Sequence, residues 1–86
     1  MKKETAKKRI TNVVEKELKG ETKEVKDYVA NIIMLTFQNL ELDYGACHDD
    51  GTPYTSTENL NYAIDSVLHD GDLGMILDEA KREITR

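Results

Sequence analysis

The stretch TKEVKDYVANIIMLTFQNLEL, residues 22–42, decides the fold of this chain. Placed at 100° per residue, its apolar side chains cover an arc of about 220°, whereas a surface helix with one buried face needs little more than about 100°. The run Val29–Phe37 is also short and β-branched enough for a buried strand, but its flanks continue the helical period without a turn signal. The pattern therefore predicts a long helix that other segments must cover from two sides.

The residues on either side of this stretch predict three further helices. Their apolar spacing gives four helices in all, near residues 4–19, 22–43, 57–69 and 71–85. Residue types that cap helix N-termini occur near the predicted starts: Thr22, Thr55 with Glu58, and Asp70 or Asp72.

The fold class that follows is all-α. We predict a small four-helix bundle around the long second helix, with a long polar loop between helices 2 and 3. The length fits a single domain over residues 1–86, in which residues 1–4 form a frayed basic tail.

The junction between helices 1 and 2 is short, and two geometries are open for it. Gly20 is suited to end helix 1 in a left-handed conformation, because it has no Cβ atom. A full turn at this point makes the two helices antiparallel neighbours, whereas a partial turn leaves them as one bent rod.

The wide apolar arc of helix 2 also predicts an oligomer, because 86 residues offer little surface to cover it. Helices 3 and 4 each present an apolar stripe, and helix 1 presents a narrower, lysine-rich one. The flank that carries Tyr28, Ile32 and Leu35 is left for a second chain. We therefore predict a homodimer with these three residues at its interface.

Charge is divided unevenly along the chain, although its net value is only −5. Residues 1–26 carry nine lysines and arginines against five glutamates, whereas residues 27–86 carry three against twelve aspartates and glutamates. The acidic body suits a partner protein with a basic surface, which it would attract and help to select. The basic arm suits nucleic-acid phosphates instead, and its contact residues would be Lys2, Lys3, Lys7, Lys8 and Arg9.

The polar loop of residues 43–56 is the segment that best fits a binding site. Loops of this length are uncommon in compact domains and are often functional. Tyrosines near its two ends have the side chain that interfaces favour, and its aspartates extend the acidic surface. The predicted partner-binding residues are Asp43, Tyr44, Asp49, Asp50 and Tyr54.

Residue types that carry catalysis or bind metals occur in patterns too weak to predict either. Cys47 adjoins His48, but neighbours in a loop seldom reach hydrogen-bond geometry without a third orienting group. The paired Cys or His spacing of a zinc site is missing, and so are the acidic positions of a calcium loop. We expect no catalytic residue, no metal and no cofactor, and a metal-dependent or thiol enzyme is the least favoured class.

These observations favour a small non-enzymatic protein-interaction module, a regulator or inhibitor that binds a basic partner through the acidic surface and the 43–56 loop. A nucleic-acid-binding regulator that uses the basic N-terminal arm is the alternative. No apolar run approaches the roughly 18 residues of a membrane span, and the lysine-rich start lacks the apolar core of a secretory signal. With its single cysteine, the chain is expected in the cytoplasm and away from membranes.

Overall fold

A computed structural model of the chain describes residues 2–42 and 47–85. These residues form four α-helices: α1, Lys3–Glu17; α2, Lys23–Glu41; α3, Ser56–Asp65; and α4, Leu73–Thr85. A π-helical turn, Ser66–Asp70, follows α3 directly. The predicted all-α fold is confirmed, and α1 begins at Lys3, one residue before its predicted start.

Side-chain caps start α2 and α4 at predicted residues. Thr22 Oγ1 accepts a hydrogen bond from the Val25 amide at 3.3 Å, and Asp72 Oδ1 accepts one from the Met75 amide at 3.2 Å. Each cap satisfies an amide that has no partner within its own helix. The caps therefore help to fix where these two helices begin.

The chain reverses fully between α1 and α2, so the two helices are antiparallel. Lys26 Nζ lies 3.0 Å from Glu15 Oε2 near the reversal. At the opposite end of the pair, Lys3 lines a groove together with Gln38. The bent-rod alternative is therefore wrong.

Gly20 does not take the left-handed conformation predicted for it, since its φ lies outside the positive range. The end of α1 is closed by backbone bonds instead. The Leu18 amide donates to the Val14 carbonyl oxygen at 2.8 Å, and the Glu21 amide donates to the Leu18 carbonyl oxygen at 2.9 Å. These bonds lead the chain out of the helix without a left-handed residue.

α2 is the spine of the bundle, because each of the other three helices packs against it or against its apolar cluster. Val29 and Ile33 on α2 are completely buried. They belong to one cluster with residues of α1, α2, α3 and the π turn: Ala6, Ile10, Val14, Leu18, Phe37, Leu60, Ala63, Ile64, Val67 and Leu68. α4 packs on α2 as well, with Ala80 completely buried. None of the helices in the described part of the chain combines the length and apolar content of a bilayer crossing.

α4 contacts Tyr28, one of the three residues predicted at the dimer interface. The Tyr28 hydroxyl donates a hydrogen bond to the Glu79 carboxylate, and partial burial followed by Glu79 raises the pKa of Tyr28. Tyr28 and Ile32 are half-buried within the single chain, whereas Leu35 is 60% exposed. Of the three predicted interface residues, Leu35 is therefore the most accessible to a second chain. The homodimer stays a prediction.

The predicted third helix changes character before its end. It is α-helical to Asp65, continues as the π turn, and is followed by Gly71 in an extended conformation with φ −85° and ψ 179°. A Cβ atom at Gly71 would lie 2.6 Å from the Ser66 carbonyl oxygen. Because glycine has no side chain, the backbone at Gly71 can pass this close to the Ser66 carbonyl oxygen as it leaves the π turn.

Candidate protein-binding site

The described part of the predicted binding loop forms a short hairpin over residues 47–53. Cys47 and Pro53 pair as an isolated antiparallel bridge. The His48 amide donates to the Thr52 carbonyl oxygen at 2.8 Å. Gly51 completes the turn with a φ of 88°, a conformation that strains any residue with a Cβ atom. Backbone bonds and a glycine thus set the shape of the hairpin.

The predicted partner-binding residues differ in their relation to this hairpin. Asp43 and Tyr44 lie outside the described residues. Asp49 and Asp50 lie at its turn, and Tyr54 follows it directly. Three of the five predicted residues therefore lie in or directly beside the hairpin.

Asp50 uses its carboxylate inside the turn. Its Oδ1 atom accepts hydrogen bonds from the Thr52 hydroxyl at 2.6 Å and from the Thr52 amide at 3.0 Å. These bonds, the hydroxyl bond first, favour the ionised form and lower the pKa of Asp50. The neighbouring Asp49 is exposed and forms no ion pair within the described residues. Asp50 therefore shapes the turn, while Asp49 offers its carboxylate to solvent.

His48 ties the hairpin to the start of α3. Its Nε2 atom lies 2.7 Å from Glu58 Oε2, and its ring packs edge-on against Tyr54 with the ring centroids 4.5 Å apart. Glu58 also completes the predicted capping box, because its Oε1 atom accepts from the Thr55 amide and its own amide donates to Thr55 Oγ1, both at 3.1 Å. The Thr55 amide first, and then His48, lower the pKa of Glu58. One carboxylate therefore holds both the helix start and the hairpin.

A second carboxylate joins the two ends of the loop. Glu41, the last residue of α2, accepts a hydrogen bond from the Ser56 hydroxyl at 2.6 Å and another from the Asn59 side-chain amide at 2.7 Å. Asn59 is only 7% exposed, so this bond satisfies a buried donor. The Ser56 bond first, and the Asn59 bond after it, lower the pKa of Glu41.

Sequence reasoning misses most of these supporting contacts. The capping-box spacing of Thr55 and Glu58 is a local signal, and the cap is confirmed. No comparable signal exists for His48, Glu41 or Asn59, because their partners lie far away along the chain and meet them only in the folded bundle.

Two tyrosines in and beside this assembly are exposed. Tyr54 is 42% exposed and Tyr62 is 64% exposed. Tyr62 follows Glu58 by one helical turn, so the two residues share a face of α3. We call Asp49, Tyr54, Glu58 and Tyr62 the platform. It combines aromatic and acidic side chains on a surface braced by His48.

The platform belongs to a part of the chain without lysine or arginine. Neither residue occurs between Lys26 and Lys81, whereas that segment contains eleven aspartates and glutamates. Arg9 of α1 reaches α3, but its Nη2 atom donates to the neutral Asn61 Oδ1 at 2.8 Å. No lysine or arginine of the described residues forms an ion pair with a platform carboxylate. The platform is therefore a negatively charged surface.

Three of the residues predicted to contact nucleic acid lie on different sides of α1. Lys3 and Lys7 line the groove between α1 and α2, whereas Arg9 lies on the side of α1 that faces α3. Lys2 and Lys8 are exposed. Lys3 and Lys7 are thus separated from Arg9 on this helix.

The described residues offer little for metal or thiol chemistry. Within residues 2–42 and 47–85, no three His, Cys, Asp or Glu side chains are placed to hold a metal ion. Cys47 is an exposed free thiol. The neighbouring His48 has its Nε2 atom engaged by Glu58 rather than by that thiol.

A further histidine joins α1 to the end of α3. His69 Nδ1 lies 3.0 Å from Asp65 Oδ1, and His69 Nε2 lies 3.3 Å from Glu17 Oε1. The protonated imidazole donates from both nitrogens, so the two carboxylates favour it. Asp65 first, and then Glu17, raise the pKa of His69 above 6.5. We call these three residues the His69 brace.

We expect the His69 brace to weaken as the pH rises. A group whose pKa is raised by folding stabilises the fold fully below its ordinary value, here 6.5, and loses that contribution as the pH rises through the raised value. Urea unfolding of the natural chain and of His69→Gln should therefore differ most near about pH 6 and less near about pH 9. Glu17→Gln supplies the matched control. In a chain that already carries Glu17→Gln, the further change His69→Gln should lower the stability at the lower pH by less than it does in the natural chain. A difference that stays constant over this range would contradict the prediction.

The platform, the α1–α2 groove and the His69 brace are the surface features from which function can be inferred. Comparison of the chain with family models, with curated proteins and with solved structures finds no match.

Proposed function

We propose that this protein is a small non-enzymatic interaction module, a regulator or inhibitor that binds a basic partner protein through the platform. The observation that carries the proposal is the braced presentation of Asp49, Tyr54 and Tyr62 in a segment free of lysine and arginine. A single exposed cysteine is compatible with a reducing compartment, so we propose the cytoplasm as the location.

The bracing of the hairpin supports a role in binding. A surface that is ordered before it meets its partner loses less conformational entropy on association than a flexible loop does. The hairpin is held by its own bridge, by the Asp50 turn and by the contact between His48 and Glu58. These contacts form when the chain folds, so the platform is ready for a partner.

The chemistry of the platform indicates the kind of partner. Tyrosine is enriched among the residues that dominate binding energy, because it offers a large rigid ring and a hydroxyl. The free carboxylate of Asp49 would attract lysine and arginine side chains and speed their approach, whereas both carboxylate oxygens of Glu58 are already engaged by Thr55 and His48. An arginine can also lie over a tyrosine ring, a contact that contributes about 0.5–1 kcal/mol at exposed sites. A basic segment with interspersed apolar residues therefore fits the platform best.

Nucleic-acid binding through the basic arm has less support. A phosphate-binding surface needs several cations that reach the same backbone. Lys3 and Lys7 lie on one edge of α1 and Arg9 on another. The arrangement therefore favours the acidic platform over the basic arm, and the experiment below also includes duplex DNA.

The proposal is tested by titrating the isotope-labelled protein with a synthetic peptide in which arginine and leucine alternate. We expect amide shifts in the NMR spectrum to cluster at residues 47–62. Tyr62→Ala should lower the affinity at least about tenfold, the loss that truncation of a central aromatic contact commonly causes. Tyr62 is 64% exposed, so this change should leave the fold intact.

Two lysine substitutions separate the platform from general charge attraction. Asp49→Lys and Asp78→Lys change the net charge equally, and both positions are exposed. We expect at least about a tenfold loss of peptide affinity for Asp49→Lys and less than about a twofold loss for Asp78→Lys. Equal losses would overturn the proposal. Binding of duplex DNA that disappears when Lys2, Lys3, Lys7, Lys8 and Arg9 become Gln, without peptide binding, would favour the alternative function.

A further inference from the structure

The turn of the hairpin contains an aspartate followed by a glycine, Asp50 and Gly51, and these two residues are able to react with each other. The backbone nitrogen that follows an aspartate can attack the side-chain carboxyl carbon of that aspartate. Glycine in the second position favours the attack, because it has no Cβ atom to obstruct the close approach. Both residues are exposed. The turn is therefore open to a rearrangement of its main chain.

The rearrangement has two steps and needs no reactant other than water. In the first step the Gly51 nitrogen forms a bond to Asp50 Cγ and gives up its proton, while the protonated carboxyl group loses its hydroxyl group, so that one water molecule leaves. The resulting five-membered succinimide ring then takes up one water molecule at either of its carbonyl carbons. Addition at Cγ restores aspartate. Addition at the main-chain carbonyl gives isoaspartate, in which the main chain runs through the side chain of residue 50.

The hydrogen bonds of the folded turn oppose the first step. Asp50 Oδ1 accepts from the Thr52 hydroxyl at 2.6 Å and from the Thr52 amide at 3.0 Å, so the carboxylate is held towards Thr52. The attacking Gly51 amide donates to the His48 carbonyl oxygen at 2.9 Å. The bonds to Thr52, the hydroxyl bond first, also lower the pKa of Asp50, and an ionised carboxylate has no hydroxyl group to lose.

A second aspartate–glycine pair, Asp70 and Gly71, provides a comparison within the same chain. Asp70 is exposed. Among residues 2–42 and 47–85, no hydrogen bond or ion pair engages its carboxylate. The two pairs therefore have the same reacting groups, but only Asp50 has a neighbouring hydroxyl that holds its carboxylate.

We propose that Asp50–Gly51 is a site of spontaneous modification to isoaspartate, and that the Thr52 hydroxyl slows this modification by holding the Asp50 carboxylate. Isoaspartate adds one carbon to the main chain of the turn. The bond from the His48 amide to the Thr52 carbonyl oxygen, 2.8 Å long, then loses its register and the hairpin opens. A loss of partner binding after modification rests on the proposed function of the platform, whereas the reaction itself does not.

The test follows isoaspartate in the natural chain and in Thr52→Val over several weeks at about pH 6, where aspartate is almost fully ionised and the reactive fraction follows the pKa. Valine removes the hydroxyl and keeps the amide. Chymotryptic peptides separate residue 50 from residue 70, and mass spectrometry with electron-transfer fragmentation distinguishes isoaspartate from aspartate. We expect Thr52→Val to react at least about threefold faster at Asp50, the factor that one modest hydrogen bond carries, and at an unchanged rate at Asp70.

Thr52→Ser is the matched control, because it keeps the hydroxyl and should react at Asp50 as slowly as the natural chain. In concentrated guanidinium chloride the turn is absent, so the natural chain and Thr52→Val should react alike, and faster than the folded natural chain. An unchanged rate at Asp50 in Thr52→Val would overturn the proposal. Equal acceleration at Asp50 and Asp70 would do so as well, because it would mean that the whole fold has loosened. Binding of the arginine–leucine peptide to fresh protein tests the platform separately.

Discussion

Replacing Ile33 with alanine is expected to lower the free energy of unfolding by about 2–5 kcal/mol. Ile33 is completely buried on α2, in the cluster where α1, α3 and the π turn meet it. The substitution removes buried methyl and methylene groups and leaves a cavity that neighbouring helices fill only in part. Domains of this size have total stabilities of about 5–15 kcal/mol, so one side chain contributes a large share. Urea unfolding followed by circular dichroism measures the change.

The matched control lies two residues further along the same helix. Leu35 is 60% exposed, and Leu35→Ala should change the free energy of unfolding by less than about 0.5 kcal/mol. Both proteins should be unfolded at about 5 µM, where a weak dimer contributes little to stability. Similar losses for the two variants would mean that the side of α2 bearing Ile33 is not the buried one.

Gly71→Ala is the second change with a large expected effect. The new Cβ atom would lie 2.6 Å from the Ser66 carbonyl oxygen, a backbone atom that cannot swing aside as a side chain can. The backbone at the end of the π turn must therefore shift, and overpacking of this kind costs about 1–3 kcal/mol. The φ of −85° at Gly71 is ordinary for alanine, so the cost comes from the contact and not from the torsion angle.

Gly20→Ala provides the comparison for this prediction. A Cβ atom at Gly20 meets no other atom within 4 Å, and its φ is outside the positive range. Alanine there should leave stability unchanged or raise it by up to about 1 kcal/mol, because it restricts the unfolded chain. Thermal unfolding of the Gly71→Ala and Gly20→Ala proteins measures this difference in stability. A loss at Gly20 as large as that at Gly71 would contradict the close approach at the π turn.

Periodicity predicts the helices of this protein well, because burial and helical spacing act within single segments. The stripe of Leu60, Ala63 and Ile64 is buried where a 3.6-residue period places it. Caps such as Thr22 and Asp72 are likewise local, since each bonds an amide three residues away. Gly20 shows the limit of such local arguments, because backbone bonds close α1 without using the conformational freedom of glycine.

Contacts between helices are harder to predict, because they depend on how the helices are placed. The arc of α2 includes Tyr28, but the sequence does not reveal that α4 meets this residue through Glu79. Contacts within the candidate binding site are equally hard to predict. Asp49 and Asp50 have the same chemistry in the sequence, whereas the folded turn uses the carboxylate of Asp50 and leaves that of Asp49 exposed. Differences of this kind arise from hydrogen-bond geometry rather than residue type.

Because of Glu41, the packing of α2 against α3 does not depend on the length of the 43–55 loop. Its bonds to Ser56 and Asn59 hold the end of α2 against the start of α3, whatever number of residues runs between them. Closing a flexible loop becomes costlier only slowly with length, by about 0.6 kcal/mol for each doubling. The segment can therefore lengthen with little effect on the helices, as long as Thr55, which caps α3, is kept. This protein has, at that point, a position where inserted sequence can be displayed on an unchanged scaffold.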